Sequence, residues 1–335
     1  MKKVLLTGLF LFAATVFANA AGTYHFIKEI PLGGNTGWDY LSVDATAHRL
    51  YVSRGTKVVV VDLTTDTVAG EITNLAGVHG VAVAPELGRG LVTCGKENKA
   101  AIFDLKTLQI ISKVDTGAGP DSMLYDAGRQ EFYTFNGHGE SATVIDAKSG
   151  KVVTTIPLGG RPEFAECDAA AGLVFDNLED QNAVAVIDAK THAIIHRWPI
   201  APGEAASGIA LDEKNHRLFL GCDNQMMAML DSASGKVLAT VPIGDGVDAN
   251  AFDPGTQLAF ASCGDGTVTI AHEDGDTLTV VQTLKTEKSA RTMAIDPMTH
   301  KIYLASAKFE APAPGQKRGK IIPGTFKILV YGMDK

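Results

Sequence analysis

Seven positions spaced 40 to 44 residues apart carry mostly ionisable side chains of the kinds that bind cations and transfer protons. They hold four carboxylates, an imidazole, a guanidinium and a hydroxyl: Asp39, His79, Asp121, Glu163, Ser207, Asp248 and Arg291. Carboxylate oxygens are ligands for hard cations such as calcium, and the imidazole adds a nitrogen suited to a transition metal. If the fold brings these positions to one level, they form a polar ring whose acids need a counter-charge.

The converging carboxylates leave two interpretations open. In the first, the ring binds a ligand, and Arg291 holds any anionic group of it. A divalent metal ion would be held by the acids and the imidazole: Asp39, His79, Asp121, Glu163 and Asp248. In the second interpretation the acids cap strand ends and face bulk water, so the ring is the rim of a hydrated funnel that binds nothing.

A repeated phrase places these positions in a common register. The segment YLSVDATAHRLYVS returns six more times, for example as GIALDEKNHRLFLG and TMAIDPMTHKIYLA. Each copy has a turn residue five positions after the ring residue: Asp44, Ala84, Asp126, Asp168, Asp212, Asp253 and Asp296. The copies continue into short β-branched runs between Gly, Asp and Pro turns, which predicts four antiparallel strands per repeat. Seven such repeats predict an all-β, seven-bladed β-propeller whose first strands line a central channel.

The last repeat has three strands, and its fourth is expected from the other end of the chain. The segment YHFIKEIPLG at residues 24–33 matches the fourth-strand segment KVVTTIPLG but precedes the first repeat. We expect it to complete the last blade and close the ring of blades, which removes exposed sheet edges. Residues 21–335 are therefore expected to form one propeller domain.

The repeat, with VIDAKSGKVVTTIPLG as its clearest copy, resembles those of YVTN-repeat propellers, and residues 24–335 look like a YncE-like periplasmic propeller. The resemblance implies the fold but no single activity, because propellers host unrelated functions. Related propellers include DNA-binding proteins, partners of redox enzymes and lactonases. His272 and Tyr331 depart from the family pattern, since they replace the acidic turn residue of the third strand in blades 6 and 7.

The first twenty residues have the features of a secretory signal peptide: a basic start, a short apolar run, and small residues before a cleavage site after Ala20. Loss of Lys2 and Lys3 would change the net charge from −8 to −10. We expect a periplasmic or secreted protein, a monomer without a later membrane span. The acidic balance makes nucleic-acid binding unlikely, because that binding needs clustered Lys and Arg.

One long loop interrupts the otherwise short connections. Residues 308–326 fall between the second and third strands of blade 7, on the face that carries the polar ring, here called the top face. Its basic residues are Lys308, Lys317, Arg318 and Lys320. Loops of this length often have a function, so the insertion is either a lid or partner-docking arm, or a solvated excursion packing its prolines on the propeller.

Other side chains near the ring also have two interpretations. Trp38 and Tyr40 flank Asp39 and could form an apolar wall of a ligand pocket, or they could pack between neighbouring blades. His138 lies in the loop FNGHGES of blade 3, on the same face, and could reach towards the ring or stay on the surface.

The four cysteines are expected to be free thiols even in an exported protein. Cys94, Cys222 and Cys263 each fall ten residues after a turn residue, at equivalent places in blades 2, 5 and 6. Stacked sheets pack about 10 Å apart, whereas bridged cysteines need Cα atoms within about 7 Å. Cys167 has no evident partner.

The leading hypothesis is an exported, non-catalytic propeller that binds a small ligand, a metal ion or a periplasmic protein at the top-face channel mouth. The alternative is a metal-assisted lactonase, hydrolase or lyase, in which the carboxylates hold a divalent cation and His79 transfers a proton. The sequence has no nucleophile elbow, phosphate loop or zinc-hydrolase motif. That absence does not decide between the two, because propeller enzymes assemble their sites from separate blades.

Overall fold

Twenty-eight strands alternate with short turns in the computed structural model, which describes residues 22–313, 315–316 and 319–333. Within those residues the strands form seven separate four-stranded antiparallel sheets, one for each predicted blade. Two short 3-10 helices, at Pro85–Leu87 and Glu179–Gln181, are the other regular elements of this part of the chain. The seven-bladed propeller is therefore confirmed. The predicted signal peptide lies outside the described residues.

The strands are numbered in chain order, and β1 covers Tyr24–Pro31. Blade 1 contains β2 to β5, at Leu41–Asp44, Arg49–Arg54, Lys57–Asp62 and Thr67–Ile72. Blade 2 contains β6 to β9, at Val78–Ala84, Arg89–Cys94, Lys99–Asp104 and Ile110–Asp115. Blade 3 contains β10 to β13, at Pro120–Asp126, Glu131–Asn136, Ser141–Asp146 and Lys151–Pro157.

The remaining blades follow the same order from the channel outwards. Blade 4 contains β14 to β17, at Pro162–Asp168, Leu173–Leu178, Ala183–Asp188 and Ala193–Pro199. Blade 5 contains β18 to β21, at Ala206–Asp212, Arg217–Cys222, Met226–Asp231 and Val237–Pro242. Blade 6 contains β22 to β25, at Val247–Asp253, Leu258–Cys263, Thr267–Asp274 and Thr277–Lys285. Blade 7 contains β26 to β28, at Met293–Asp296, Lys301–Ser306 and Lys327–Met333, and β1.

Strand β1 closes the ring of blades, as the sequence predicts. It pairs antiparallel with β28 from Tyr24 opposite Met333 to Pro31 opposite Lys327. Its inward side chains Tyr24 and Ile30 are 2% and 1% exposed. The strand ends at Pro31, two residues before the end of the predicted segment, because proline cannot donate to a ladder and the chain then turns.

Buried aspartates hold the turn between the first and second strands in six blades. Asp44 Oδ1 accepts a hydrogen bond from the Ala47 amide at 2.9 Å, and Asp168 Oδ1 accepts one from the Ala171 amide at 2.8 Å. Blade 2 has Ala84 at this position, and a 3-10 helix follows it instead. The repeated turn residue is therefore a framework feature, because its carboxylate satisfies backbone N–H groups that the ladder leaves unpaired.

The core is divided among the seven interfaces between blades. Each of seven buried hydrophobic clusters draws its residues from two adjacent blades, including one that joins blade 7 to blade 1. The second and third strands are buried on both faces, because side chains alternate between the two neighbouring blades. Each blade is thus fixed by packing against both neighbours.

The four cysteines are free thiols, as the sequence predicts. All four, Cys94, Cys167, Cys222 and Cys263, are free, and three of them are buried. Among the described residues, no helix has the length and hydrophobicity needed to cross a membrane.

Candidate functional site

The ring residues lie at irregular points of the first strands. In β10 the pairing register shifts between Pro120 and Met123, a stretch that includes Asp121. Strand β14 has the same irregularity around Glu163. Because a bulge re-aims side chains relative to the regular pleat, it can turn these residues towards the channel mouth. In blades 1 and 7 the first strand begins two residues after the ring position, so Asp39 and Arg291 precede their strands.

Polar side chains in the second strands hold the ring backbone of the following blade. Thr93 Oγ1 donates to the Asp121 carbonyl at 2.6 Å, and Asn177 Nδ2 donates to the Ser207 carbonyl at 2.9 Å. Ser262 makes the equivalent bond to the carbonyl of Arg291. The sequence patterns described above do not single out these three residues, although each is a polar residue nine positions after a turn residue in a buried strand.

Three ring residues from blades 1 to 3 converge into one cluster. His79 Nδ1 lies 2.7 Å from Asp39 Oδ2 and 3.1 Å from Asp121 Oδ1. The nitrogen carries one hydrogen at most, and its hydrogen bond goes to Asp39. Asp121 Oδ1 is buried, and its ion-pair partner is the same nitrogen at 3.1 Å. Two carboxylate oxygens therefore share one imidazole nitrogen.

The two carboxylates change the protonation of His79. Burial alone would lower the pKa of His79, but hydrogen bonding and charge from Asp121 and Asp39 outweigh it and raise that pKa to about 10. Burial also raises the pKa of Asp39, and the hydrogen bond and charge of His79 offset part of that rise. At neutral pH the imidazolium of His79 therefore lies between the side chains of Asp39 and Asp121.

Two further ring residues, from blades 6 and 7, form an ion pair. Arg291 Nε lies 3.2 Å from Asp248 Oδ2, so this guanidinium is already engaged by an acid of the neighbouring blade. Burial, followed by the charge of Asp121, raises the pKa of Glu163 to about 8. Glu163 is thus mostly protonated at pH 7, which limits the repulsion within the ring.

Replacing Glu163 by Gln is expected to stabilise the protein at high pH. The folded-state pKa of about 8 exceeds the ordinary value of 4.5, so the unfolded chain loses its proton first and wild-type stability falls between those pH values. Urea unfolding at pH 8.5 should show the variant more stable by about 1 to 2 kcal/mol, a figure reduced for partial solvent exposure. At pH 4 the two proteins should match, and parallel pH profiles would contradict this assignment.

A small pocket adjoins the cluster on the top face. Its cavity of about 230 Å³ is lined by ring residues and by loops of blades 2 to 4: His79, Gly95, Lys96, Gly119, Asp121, Gly137, His138, Arg161 and Glu163. A Cβ at Gly119 would lie 2.7 Å from His138 Nδ1, so the glycine makes room for that imidazole. His138 therefore reaches the pocket that contains three ring residues.

An aromatic pair forms the floor below the ring. Tyr40 extends from blade 1 to blade 4, where its hydroxyl donates to the Glu163 carbonyl at 3.3 Å and its ring meets Phe164 with centroids 5.1 Å apart. A Cβ at Gly80 would lie 2.1 Å from Met123 Sδ and 3.3 Å from the Tyr40 ring, so only glycine fits beside this crossing. Tyr40 is thus a partition between ring and lower channel.

Trp38 points away from that partition. Its ring packs against Phe326 and Phe309, with centroid distances of 5.1 and 6.0 Å. Of the two interpretations of Trp38, this contact matches packing, here of blade 1 onto the insertion of blade 7. The aromatic cluster anchors the insertion at its base.

One isolated β-bridge joins the two described arms of the insertion. Phe309 pairs with Ile321, and the Glu310 amide donates to the Lys320 carbonyl at 2.8 Å. A cavity of about 850 Å³ lies between it and the loop that precedes Arg291. Lys317 and Arg318 lie outside the described residues, so the predicted basic arm is described at Lys308 and Lys320.

The comparisons with known proteins identify the fold. No protein-family model and no curated protein matches this sequence. The structure of RRP9 WD40 repeats superposes with a TM-score of 0.77 at 11% identity, covering 91% of this chain and 97% of that one. A chain of Kuenenia stuttgartiensis hydrazine synthase gives 0.71 at 17% identity, covering 81% and 93%.

A third solved structure matches over nearly the full length of both chains. It is a chain of a mitotic checkpoint complex, with a TM-score of 0.77 at 13% identity, covering 100% of this chain and 99% of that one. Identities this low show a shared propeller fold and nothing about shared chemistry. The geometry of the ring residues carries the information about function.

Proposed function

We propose that this protein is an exported binding propeller whose top-face ring holds a divalent metal ion through Asp39, His79 and Asp121. The observation that carries the proposal is the convergence of these side chains. One ligand atom from each lies within 4.8 Å of the other two. Ligand atoms bound about 2.1 Å from a tetrahedral ion lie about 3.4 Å apart, so small side-chain movements complete a three-residue site.

The surroundings of the three residues support an ion rather than a plain hydrated rim. Asp39 Oδ2 and Asp121 Oδ1 share the single nitrogen His79 Nδ1, and a metal ion would give Asp121 Oδ1 a bond of its own. Thr93 fixes the Asp121 backbone, and Ser53 Oγ accepts from the Asp39 amide at 2.9 Å. Fixed ligands lose little freedom on binding. Glu163 and Asp248 are the next acids along the ring and would accept hydrogen bonds from water on the ion or donate them to it.

Proton competition sets the conditions under which the ion binds. The ligand nitrogen must lose its proton before it can coordinate a metal. With a His79 pKa of about 10, the apparent affinity at pH 7 is reduced by about a thousandfold. We therefore expect binding to strengthen about tenfold per pH unit between pH 7 and pH 9, and to release one proton per ion.

Calorimetric titration of metal-stripped protein with Zn²⁺, Mn²⁺ and Ca²⁺ at pH 8.5 tests the proposal. Wild type should bind one equivalent of at least one of these ions, and Asp39→Asn should weaken that binding at least about thirtyfold, because a charged ligand becomes a neutral amide. The matched control is Asp115→Asn, since Asp115 lies on an outer strand with a side chain 87% exposed. No binding by wild type at millimolar metal, or equal binding by the Asp39 variant, would overturn it.

One observation favours the catalytic alternative as a second candidate. Glu163 keeps its proton near pH 7 and lines a pocket beside the proposed ion, so it could donate that proton to a leaving group. The bound ion would polarise a carbonyl or a water molecule, as in a metal-assisted lactonase, hydrolase or lyase. Metal-loaded protein should then open γ-butyrolactone or gluconolactone, and Glu163→Gln should abolish turnover while keeping the metal. No hydrolysis of either lactone would count against this candidate.

Export, family and partner form the remaining part of the proposal. The signal-like start supports export to the periplasm or medium, and the repeat phrases support membership of the YVTN-repeat, YncE-like propellers. Mass spectrometry of the exported protein should then give the mass of a chain that starts at Ala21. One structural neighbour belongs to a multiprotein checkpoint complex. We therefore propose that the top face also binds a periplasmic protein.

A further inference from the structure

A second cavity lies in the channel on the opposite side of the Tyr40 partition. This lower chamber has a volume of about 320 Å³ and is walled by the first strands of blades 1 to 4. Apolar side chains such as Val81, Val83 and Leu124 share its lining about equally with polar groups. Its volume falls at the small end of ligand pockets, which run from about 300 to 1,000 Å³.

One carboxyl group lines the chamber without a partner. The side chain of Glu166 makes no hydrogen bond and no ion pair with any described residue, while its backbone lies in the ladder between β14 and β15. Burial in the channel, with a smaller contribution from the charge of Glu213, raises the pKa of Glu166 to about 8. The adjacent thiol, Cys167, is held neutral because burial also raises its pKa. Above about pH 8 the partly buried carboxylate of Glu166 is ionised, and a bound cation would supply its counter-charge.

The partition adds aromatic surface to the same chamber. The rings of Tyr40 and Phe164 meet edge to face at its upper end, and Tyr125 lies in its wall. Aromatic faces attract organic cations, most of all quaternary ammonium groups, which have no N–H donors to satisfy. The chamber thus combines an acidic side chain with aromatic surface.

We propose that the lower chamber binds a small quaternary ammonium ion, whose charge is balanced by Glu166 and whose alkyl groups contact Tyr40 and Phe164. The proposal is separate from metal binding at the ring, because the Tyr40 partition lies between the two sites. The ligand would enter from the face opposite the ring, where the first strands end in their aspartate turns.

The test compares choline with its neutral isostere 3,3-dimethylbutan-1-ol, by calorimetry and ligand-observed NMR on the mature protein at pH 9. Wild type should bind choline at least about tenfold more tightly than the alcohol. Glu166→Gln should reduce choline affinity to that of the alcohol, since the two molecules differ in charge and not in shape. Glu213→Gln is the matched control and should retain the preference for choline, because Glu213 does not line the chamber.

A second variant tests the cavity without touching its charge. Ser42 lines the chamber, and Ser42→Leu should fill part of it and weaken both choline and the alcohol at least about tenfold. Equal affinity for choline and the alcohol in wild type would overturn the proposal. So would choline binding that survives Glu166→Gln but is lost in Asp39→Asn, since that result would assign the cation to the ring. Metal titration of Glu166→Gln should match wild type, which keeps the two proposals distinguishable.

Discussion

A chain that begins at Leu32, and so lacks β1, is expected to lose its cooperative unfolding transition and to bind hydrophobic dyes. The deletion removes Tyr24 and Ile30 from the clusters that join blade 7 to its two neighbours. It also leaves β28 as an unpaired edge. The combined loss exceeds about 5 kcal/mol, which is comparable to the whole stability of a typical domain. Near-ultraviolet circular dichroism and urea unfolding measure the effect.

Two matched point variants distinguish the role of β1 in closing the ring of blades from a general effect of shortening the chain. Ile30→Ala removes a side chain that is 1% exposed and should cost about 2 to 5 kcal/mol. Ile27→Ala, on the same strand but 39% exposed, should cost less than about 1 kcal/mol. If the shortened chain unfolded at the wild-type urea concentration, or the two isoleucine variants behaved alike, β1 would not be the closing strand.

Replacing His79 by Gln is expected to destabilise the protein by about 2 kcal/mol at pH 7. The variant leaves the Asp39 and Asp121 carboxylates together without their shared cation, a loss reduced here because both side chains are about 30% exposed. The raised pKa of His79, about 10 against 6.5, gives the sign of the pH dependence. The stability that His79 contributes to the folded protein is fully present below pH 6.5 and disappears as the pH rises through 10.

A double-mutant cycle measures the interaction energy between Asp39 and His79. Asp39→Asn removes one of the two repelling charges, so the double variant with His79→Gln should recover at least about 1 kcal/mol relative to the sum of the single changes. Urea unfolding of the four proteins at pH 7 supplies the coupling energy. Strict additivity would mean that Asp39 and His79 do not interact.

The fold could be predicted because its signals are local and repeated. The aspartate of each turn bonds to backbone amides two or three residues away, so the same residue type returns in six blades. The closing strand was predictable because residues 24–33 copy a fourth-strand segment. The exact start of the first strand in blades 1 and 7 was not predictable, since no local signal distinguishes Asp39 from the strand that follows.

The level of the candidate site along the channel was predictable from the sequence, but the directions of its side chains were not. Aligning the repeats gives the level of a residue along the channel, and that placed Asp39, His79 and Asp121 in one ring. Register does not say how far a side chain reaches, so it could not show that Tyr40 contacts blade 4 or that Trp38 packs on Phe326. Such contacts depend on the shapes of non-neighbouring segments, and a single sequence carries no signal for them.

Strand β1 also constrains the order in which the molecule is completed. Tyr24 is synthesised among the first residues of the propeller, yet its partner Met333 is among the last. Contacts between such distant positions form late, because closing a long loop costs entropy before the contact compensates for it. The ring of blades therefore cannot close before β28 has been synthesised and is free to pair with β1.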